Sequence, residues 1–277
     1  MHAYDAIEKR RLSGKDAFLI LRLTFEAHLR LVLLVSVFFE LMSAAHAQDE
    51  DTVNPDRPSA STSTHIVAAR HIQLEGGISR SRFGTGNSNQ FGELLVRAGV
   101  SKRVEVRAGI PSFLTSEIPP SRVTGADDML IEGKFLLKSG DTLALGALAT
   151  AILPTGTHSV AEHTFQPGST FIADINVAKS VSVTANAGYS RATSNGARFN
   201  SISGVSTVNF ALPSKLSLFT EVYAFNQLDD RTQKYAGTGL AWIVGKRLEI
   251  DASGGIGLRN HAHGPDRYYG AGISRLF

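Results

Sequence analysis

Cysteine is absent from this chain of 277 residues, which excludes disulfide bonds, thiol chemistry and metal sites built on thiolates. Charged residues are also few, at 19% of the sequence, and the formal net charge is only +3. That charge is too small to argue for nucleic-acid binding. The glycine-rich stretch 254–257 continues a strand pattern and opens no helix, so it does not indicate a nucleotide site. We expect neither a nucleic-acid partner nor a cofactor.

Long apolar runs are lacking as well. No stretch reaches the roughly 20 apolar residues that a membrane helix needs. The mean hydropathy is −0.01, and glycine is plentiful with 26 residues. A mean near zero does not exclude a membrane β-barrel, because lipid-facing and lumen-facing residues alternate and cancel in the average.

The first 47 residues have the composition of an export signal. Six basic residues precede the apolar run 31–39, and small residues follow up to Ala45-His46-Ala47. A basic start, a short apolar core and an A-x-A end predict a secretory signal peptide that is cleaved after Ala47. The alternative, an anchor that stays attached, is disfavoured because Glu40 ends the apolar run before it is long enough to span a membrane.

From about residue 66 onward, segments of roughly 10 residues alternate between apolar and polar positions and are separated by turn residues. In one of them Val181, Val183 and Ala185 share one face, and Ser182 and Thr184 share the other. The predicted strands are 69–83, 88–100, 104–116, 126–138, 142–154, 168–178, 181–194, 198–211, 216–228, 233–244, 248–259 and 266–277. They number about twelve, and single-chain bacterial barrels have an even number.

The connections between these strands alternate in length. Short turns separate some neighbours, and the longer loops are predicted at 84–88, 116–126, 155–167, 195–198, 229–232 and 260–265. Short periplasmic turns opposite long outer loops are typical of outer-membrane barrels. The sequence therefore predicts an all-β, transmembrane, antiparallel up-and-down barrel over residues 66–277. We expect it in the bacterial outer membrane, with the membrane lipid and the barrel-assembly machinery as partners.

The last predicted strand ends the chain on an aromatic residue. Tyr269, Ile273 and Phe277 lie on one face of it, as expected for the closing strand of a barrel and its assembly signal. Arg275 shares that outward face. Two residues from the periplasmic end, it can extend to the lipid headgroups.

Charged residues recur at the polar positions of the strands and are predicted to line the lumen. Such charges bias what a channel passes, but they can equally form salt bridges that hold a narrow barrel shut. Both interpretations stay open, because twelve strands fall between the filled barrels of about eight and the open porins of about 16–18. The candidate pore-lining residues are Glu93, Arg97, Glu105, Arg107, Glu132, Lys134, Asp174, Glu221, Glu249 and Asp251.

The turn between the second and third predicted strands fixes the facing of two of these charges. If Ser101-Lys102-Arg103 forms a three-residue turn, Val100 lies opposite Val104 and Arg97 lies opposite Arg107. Like charges directly opposite each other are unfavourable, so acidic neighbours are needed. The candidates for that role are Glu93, Glu105 and Glu132.

Residues 48–65 lie between the signal and the first strand. They are acidic at first and then rich in serine and threonine, with two prolines and no apolar periodicity. This composition predicts an extended or irregular segment. It can fold into the lumen as a plug or gate, or it can remain a disordered periplasmic tail, which the composition favours.

Several stretches of the mature chain together resemble a known family. They are Pro55-Asp56-Arg57-Pro58-Ser59, Gln73-Leu74-Glu75-Gly76-Gly77, Glu93–Arg97 with Arg103–Arg107, Gly125-Ala126-Asp127-Asp128, Leu153-Pro154-Thr155-Gly156 and the closing Pro265–Phe277. The chain is similar to the outer-membrane family called "putative MetA-pathway of phenol degradation", whose members are often labelled transporters. The end departs from the family pattern of aromatic-Arg-Phe, because Leu276 stands between Arg275 and Phe277.

The resemblance implies an outer-membrane channel for passive passage of small molecules, with aromatic or hydrophobic compounds as the solutes that the family name suggests. A lipid-modifying barrel enzyme and a closed structural barrel are the alternatives. No G-x-S-x-G motif is present, and Ser159 and His163 merely share a loop, so no enzyme is expected. His158, His163 and His261-Ala262-His263 lie in outer loops, and a metal site would need three or four convergent ligands, so none is expected.

Overall fold

The computed structural model describes residues 52–194, 196–226, 232–258 and 264–277. The predicted signal peptide, residues 48–51 and the motif 261–263 lie outside the described residues. The elements are β1 (Ile72–Phe83), β2 (Gly86–Ser101), β3 (Val104–Gly109), β4 (Phe113–Ile118), β5 (Ser121–Ala126), β6 (Met129–Lys138), β7 (Leu143–Leu153), β8 (Gln166–Ala178), β9 (Val181–Ser194), β10 (Ala197–Leu212), a 3-10 turn (Pro213–Lys215), β11 (Leu216–Asn226), β12 (Thr232–Val244), β13 (Leu248–Gly257) and β14 (Arg267–Leu276).

The strands form one antiparallel sheet that closes on itself, because β1 pairs with both β2 and β14. The strands β3 and β4 both pair with β2 and are two halves of one wall strand. The strands β5 and β6 pair with β4 and β3, and they are likewise halves of one strand. Because two wall strands are each interrupted once, the fourteen strands form twelve wall strands, and the predicted twelve-stranded up-and-down barrel is confirmed.

Three of the six predicted longer loops, 84–88, 116–126 and 195–198, are wrong, because pairing continues to within two residues of each turn, with Phe83 opposite Gly86, Ile118 opposite Ser121 and Ser194 opposite Ala197. The loop expected at 116–126 is mostly strand, because β4 and β5 pair without a break from Phe113 opposite Ala126 to Ile118 opposite Ser121. The turn is confined to Pro119-Pro120, and proline, which has no N–H to donate, suits a turn but does not stop the ladder on either side. The predicted strand 126–138 therefore begins five residues earlier, at Ser121, and is interrupted at Asp127-Asp128.

Side chains alternate between an apolar outer face and a polar inner face. Val106, Phe171 and Ile250 are about half exposed on the outside. Arg97 and Lys134 are fully buried on the inside. A large apolar outer surface around a charged interior is the reverse of a soluble domain and matches a wall that faces lipid. No helix among the described residues is long and apolar enough to cross a membrane, a finding that has no bearing on spanning by strands.

Two bulges in β2 set the facing of its charges. The first lies between Gly92 and Leu95, where Gly92 has φ 97° and Glu93 has φ 30°, and an extra residue on one strand re-aims the side chain. The second lies at Val100, between Gly99 and Ser101.

The predicted pairing of Arg97 with Arg107 is confirmed, but the three-residue turn that was to produce it is wrong. Ser101, and not Val100, lies opposite Val104, so the turn has two residues. The bulge at Val100 supplies the extra residue that keeps the arginines in register.

The closing strand β14 joins β13 to β1 and completes the wall. Tyr269, Ile273 and Phe277 lie on its outward face and are about half exposed. Arg275 is on the same face, with its guanidinium carbon 5.1 Å from the ring centroid of Phe277. The backbone N–H of Phe277 donates to the carbonyl of Ile72 at 2.8 Å, which ties the end of the chain to β1. A role of this end in assembly stays a prediction.

Candidate functional site

Residues 52–67, which we call the luminal segment, lie inside the barrel and contact several of its walls. The segment starts at the end of the barrel that carries the short turns, where the N–H of Val53 donates to the carbonyl of Lys246 at 2.8 Å. It leaves along β2, where Ala69 bridges Gly99 just before β1 begins. Between these points it is irregular, as the composition of this stretch predicts.

The middle of the luminal segment is held by the wall formed by β8, β9 and β11. Ser59 Oγ and the N–H of Ala60 donate to Glu221 Oε2 at 2.8 and 2.9 Å. Two further contacts follow along the segment: the N–H of Thr62 donates to Asn186 Oδ1 at 2.7 Å, and the N–H of Thr64 donates to Asp174 Oδ2 at 2.6 Å. The backbone N–H groups of an irregular segment thus find acceptors on the wall, as buried polar groups require.

The opposite wall, β2, β3 and β6, presents three cations to Asp56 of the luminal segment. Arg107 Nη2 lies 2.5 Å from Asp56 Oδ2, Lys134 Nζ lies 3.4 Å from it and Arg97 Nη1 lies 3.8 Å from it. Ser63 Oγ and its N–H donate to the other carboxylate oxygen, Oδ1, at 3.0 and 2.9 Å. Asp56 therefore joins the luminal segment to the wall and also joins two parts of the segment, through its contact with Ser63.

The electrostatics of this socket favour an ionised carboxylate. Burial by itself would raise the pKa of Asp56, but the charges of Lys134, Arg97 and Arg107 hold it well below its usual range. Asp56 therefore remains charged while it occupies the socket.

Three wall carboxylates compensate the charges of the two opposed arginines. Glu105 Oε1 accepts from Arg97 Nε at 2.7 Å and from Arg107 Nε at 2.6 Å. Glu75 lies 2.6 Å from Arg97, and Glu132 lies 3.5 Å from Arg107. Glu93, the remaining acidic candidate, pairs elsewhere.

Arg57 of the luminal segment occupies a second socket, between β2 and β13. Its Nη1 lies 2.8 Å from Glu93 Oε2, and its Nε lies 3.4 Å from Asp251 Oδ2. Gly77 on β1 and Gly272 on β14 leave the space for the guanidinium, because a Cβ on either glycine would overlap it. The neighbours Asp56 and Arg57 are thus bound by walls of opposite charge.

The ten predicted pore-lining residues all face the interior, and eight of them contact the luminal segment directly. These eight are Glu93, Arg97, Glu105, Arg107, Lys134, Asp174, Glu221 and Asp251. Glu132 reaches the segment only through Arg107, and Glu249 Oε1 has no hydrogen-bond partner among the described residues.

The sequence reasoning missed Glu75 and Gln73, which are buried on the inner face of β1. Their alternation with Leu74 carries the same signal as the other strands and could have identified them. Asp56 and Arg57 were noted only as part of a motif, because an irregular segment has no periodicity that reveals its facing.

The barrel interior also contains a cavity and a cluster of aromatic rings. A cavity of about 580 Å³ lies at the short-turn end and is lined by the segment together with Asp174, Phe219, Ile243 and Glu249. Towards the long loops, Tyr223, Phe225, Tyr235 and Tyr268 form a cluster of aromatic rings on the inner face. The rings of Tyr223 and Tyr235 stack with centroids 4.8 Å apart, and those of Phe225 and Tyr235 stack at 6.0 Å.

The described outer-loop candidates contact groups other than one another's reactive atoms. Ser159 Oγ donates to the carbonyl of Thr124 at 3.1 Å rather than to a histidine. The ring of His163 stacks on that of His158 at 3.8 Å. Within the described ranges, no group of three or more His, Asp or Glu side chains is placed to hold a metal ion.

A closed antiparallel wall with an apolar outside and a charged inside defines a bacterial outer-membrane β-barrel. The family model described as "Putative MetA-pathway of phenol degradation" matches residues 55–276, and the chain belongs to this family. No curated protein matches the chain significantly in sequence.

Solved structures show the same fold at low identity. The COG4313 outer membrane channel from Pseudomonas putida F1 has a TM-score of 0.63 and 14% identity, over 81% of this chain and 100% of that one. The NanC porin has a TM-score of 0.53 and 10% identity, over 74% and 98%. The KdgM porin, solved in complex with disordered oligogalacturonate, has a TM-score of 0.51 and 9% identity, over 75% and 99%. At these identities the likeness concerns the fold.

Proposed function

We propose that the protein is a passive channel of the bacterial outer membrane for small molecules, and that the luminal segment is its plug. The observation that carries the proposal is that the interior holds a stretch of chain, residues 52–67, between walls of opposite charge. Barrels of about eight strands are filled by their own side chains. An interior that also accommodates a chain segment has room for a solute once the segment moves.

The contacts that hold the plug can be replaced by water. They are mainly ion pairs and hydrogen bonds, with a small apolar cluster of Val53, Val67 and Leu276 at the short-turn end. Polar groups that face an aqueous lumen lose little when such contacts open. The segment can therefore leave without disturbing the strand ladder, which is complete without it.

For the solute, we propose a small organic molecule with an aromatic or apolar body. The description of the family points to phenolic compounds. The four-ring cluster around Tyr235 supports the same class, because aromatic pairs favour stacked or edge-on contacts with ring centroids roughly 4.5–7 Å apart.

The test compares the wild type with the double variant Asp56→Asn, Arg57→Gln in planar bilayers and in liposome uptake assays. We expect brief and rare openings of the wild type and frequent openings of the variant. The exposed substitution Asp141→Asn is the matched control and should behave as the wild type. If the folded variant shows neither conductance nor uptake, the barrel is a closed structural one and the channel function is wrong.

We propose no enzymatic activity, because Ser159 and His163 have the separate partners described above. Purified protein should leave phospholipid and lipid A unchanged, and His163→Ala should make no difference. Turnover that the wild type shows and His163→Ala loses would establish the lipid-modifying enzyme instead.

A further inference from the structure

The socket around Arg57 contains more negative charge than Arg57 can neutralise. Glu93 and Asp251 pair with its guanidinium, and Glu249 lies on β13 two residues from Asp251, on the same inner face. We call Glu93, Asp251 and Glu249 the acidic recess. Two carboxylates thus pair with the one cation, and a third lies beside them on β13.

Glu249 has room for a further positive charge. Its side chain is only 5% exposed, and its Oε1 has no hydrogen-bond partner in the part of the chain that the structure describes. Ser274, which lies directly opposite it on β14, has a fully buried hydroxyl that is equally unpaired among those residues. Buried carboxylates and hydroxyls normally have partners, so this unpaired pair points to a ligand that donates hydrogen bonds.

The recess is shaped for a flat cationic group. Because Gly77 and Gly272 have no side chains, the guanidinium of Arg57 has space beside them. The bulge in β2 turns Glu93 towards this guanidinium. Ser79 Oγ donates to Glu93 Oε1 and fixes the carboxylate in place. A planar guanidinium or a compact ammonium fits two carboxylates that are held in this way.

The net formal charge of the inner wall, taken over the described strand residues, has the same sign as the recess. The inner faces of the strands carry eight acidic residues, namely Glu75, Glu93, Glu105, Glu132, Asp174, Glu221, Glu249 and Asp251, and three basic ones, namely Arg97, Arg107 and Lys134. All three basic residues lie together on β2, β3 and β6 and are paired there. Without the luminal segment, the remaining wall is therefore negative and favours cations.

We propose that the acidic recess binds the cationic head group, a guanidinium or primary ammonium, of a solute that passes through the barrel, and that Arg57 occupies this site as a tethered substitute in the closed state. The inference rests on the proposed channel function and names the charge of its solute. The aromatic cluster on the long-loop side suits the body of the same molecule, since tyrosine faces attract cations as well as rings.

The test uses full-length Arg57→Ala, in which the tethered substitute is removed and the carboxylates remain. We expect its conductance to be selective for K⁺ over Cl⁻ and to be blocked by methylguanidinium at millimolar concentration. Tetramethylammonium, which has no N–H to donate, should need about tenfold more. Arg57→Lys should restore the rare openings of the wild type, because an ammonium still fits the recess.

The second variant removes the recess itself. Glu93→Gln with Asp251→Asn, in the Arg57→Ala background, should lose the methylguanidinium block, whereas the exposed Glu117→Gln should keep it. An Arg57→Ala channel that conducts but is not cation-selective, or whose block survives loss of the recess, overturns this inference and leaves the channel function standing.

Binding is also measured without conductance. Methylguanidinium should raise the temperature at which the folded band of Arg57→Ala converts to the unfolded band on a gel, and it should not do so after loss of the recess. A folded protein that neither conducts nor shows this shift overturns both proposals, and a shift without conductance overturns the channel function alone.

Discussion

Asp56 holds the luminal segment through more charged contacts than any other residue described in it. Arg97, Arg107 and Lys134 converge on one of its carboxylate oxygens, and Ser63 binds the other. Removing one partner of a buried ion pair leaves uncompensated charge, and costs of about 3–5 kcal/mol are typical. A single substitution should therefore shift the segment from docked to free.

We predict that Asp56→Asn raises the open probability in planar bilayers by about 100-fold or more, since each 1.4 kcal/mol is about a factor of ten. The amide keeps the shape and can accept from Ser63, so the loss is that of the charge. Single-channel recording measures the effect. An Asp56→Asn channel as quiet as Asp141→Asn would show that the three cations do not hold the plug.

The pH dependence of this contact follows from the sign of the pKa shift. The pKa of Asp56 is lowered on docking, so its contribution is present above the ordinary pKa of about 3.9 and is lost only as the pH falls through the lowered value. We predict that the difference in open probability between the wild type and Asp56→Asn stays constant from pH 7 to about 4. A difference that already vanishes near pH 5 would mean that docking raises the pKa of Asp56 instead of lowering it.

For individual residues, the sequence predicted which strand side chains face inward but not which groups they contact. The alternation of apolar and polar residues puts Glu105 and Lys134 on the inward face, where the structure also has them, because a one-residue shift would turn the apolar face of each strand inward. The partners of these residues depend on a segment without periodicity, and no spacing rule brings Asp56 to Lys134 across a gap of 78 residues.

One face of β14 points outward and the other points into the barrel interior, and substitutions on each face give separate predictions. Its outward residues end in Phe277, whose N–H closes the ladder to Ile72 and whose ring lies under Arg275. We predict that deletion of Phe277 lowers the amount of folded barrel in the outer membrane, as judged by heat-modifiable migration on a gel. Phe277→Tyr keeps the ring and should assemble normally, whereas unchanged assembly of the deletion would exclude this end as a signal.

The inward face of β14 is bare at Gly272, where a Cβ would overlap the guanidinium of Arg57. We predict that Gly272→Ala displaces Arg57 and opens the channel as Arg57→Ala does, with assembly unaffected. Gly204→Ala is the matched control, because its nearest heavy atom would be Asn186 O at 4.0 Å. If Gly272→Ala and Gly204→Ala have equal conductance, the space above Gly272 is not needed for closure.

The strand boundaries were predicted from turn residues, and these predictions are wrong where turn residues lie within a hydrogen-bonded ladder. Pro119-Pro120 and Asp127-Asp128 mark a tight turn and a break, yet the pairing of β4 with β5 continues between them. The bulge at Val100 could not be inferred either, because two turn geometries produce the same pairing of Arg97 with Arg107.

The whole molecule was the most predictable level. Twelve wall strands and their antiparallel order follow from the repeating alternation along the chain, whereas the lengths of the loops do not, since three of the six predicted longer loops are two-residue turns. The position of the luminal segment did not follow, since its composition is also that of a disordered tail. The roles of Asp56 and Arg57 depend on oppositely charged wall residues, such as Arg107 and Asp251, that lie far from them in the sequence.

The path of the luminal segment has a consequence for the order of events during biogenesis. Arg57 is bound by Asp251, Ser59 by Glu221 and Thr64 by Asp174, at separations of 194, 162 and 110 residues. The luminal segment can therefore complete its contacts only after β8, β11 and β13 have formed, although it precedes them in the chain. We expect a newly closed barrel to lack its plug until the segment docks, and we expect weaker ion pairs at Asp56 and Arg57 to lengthen that delay.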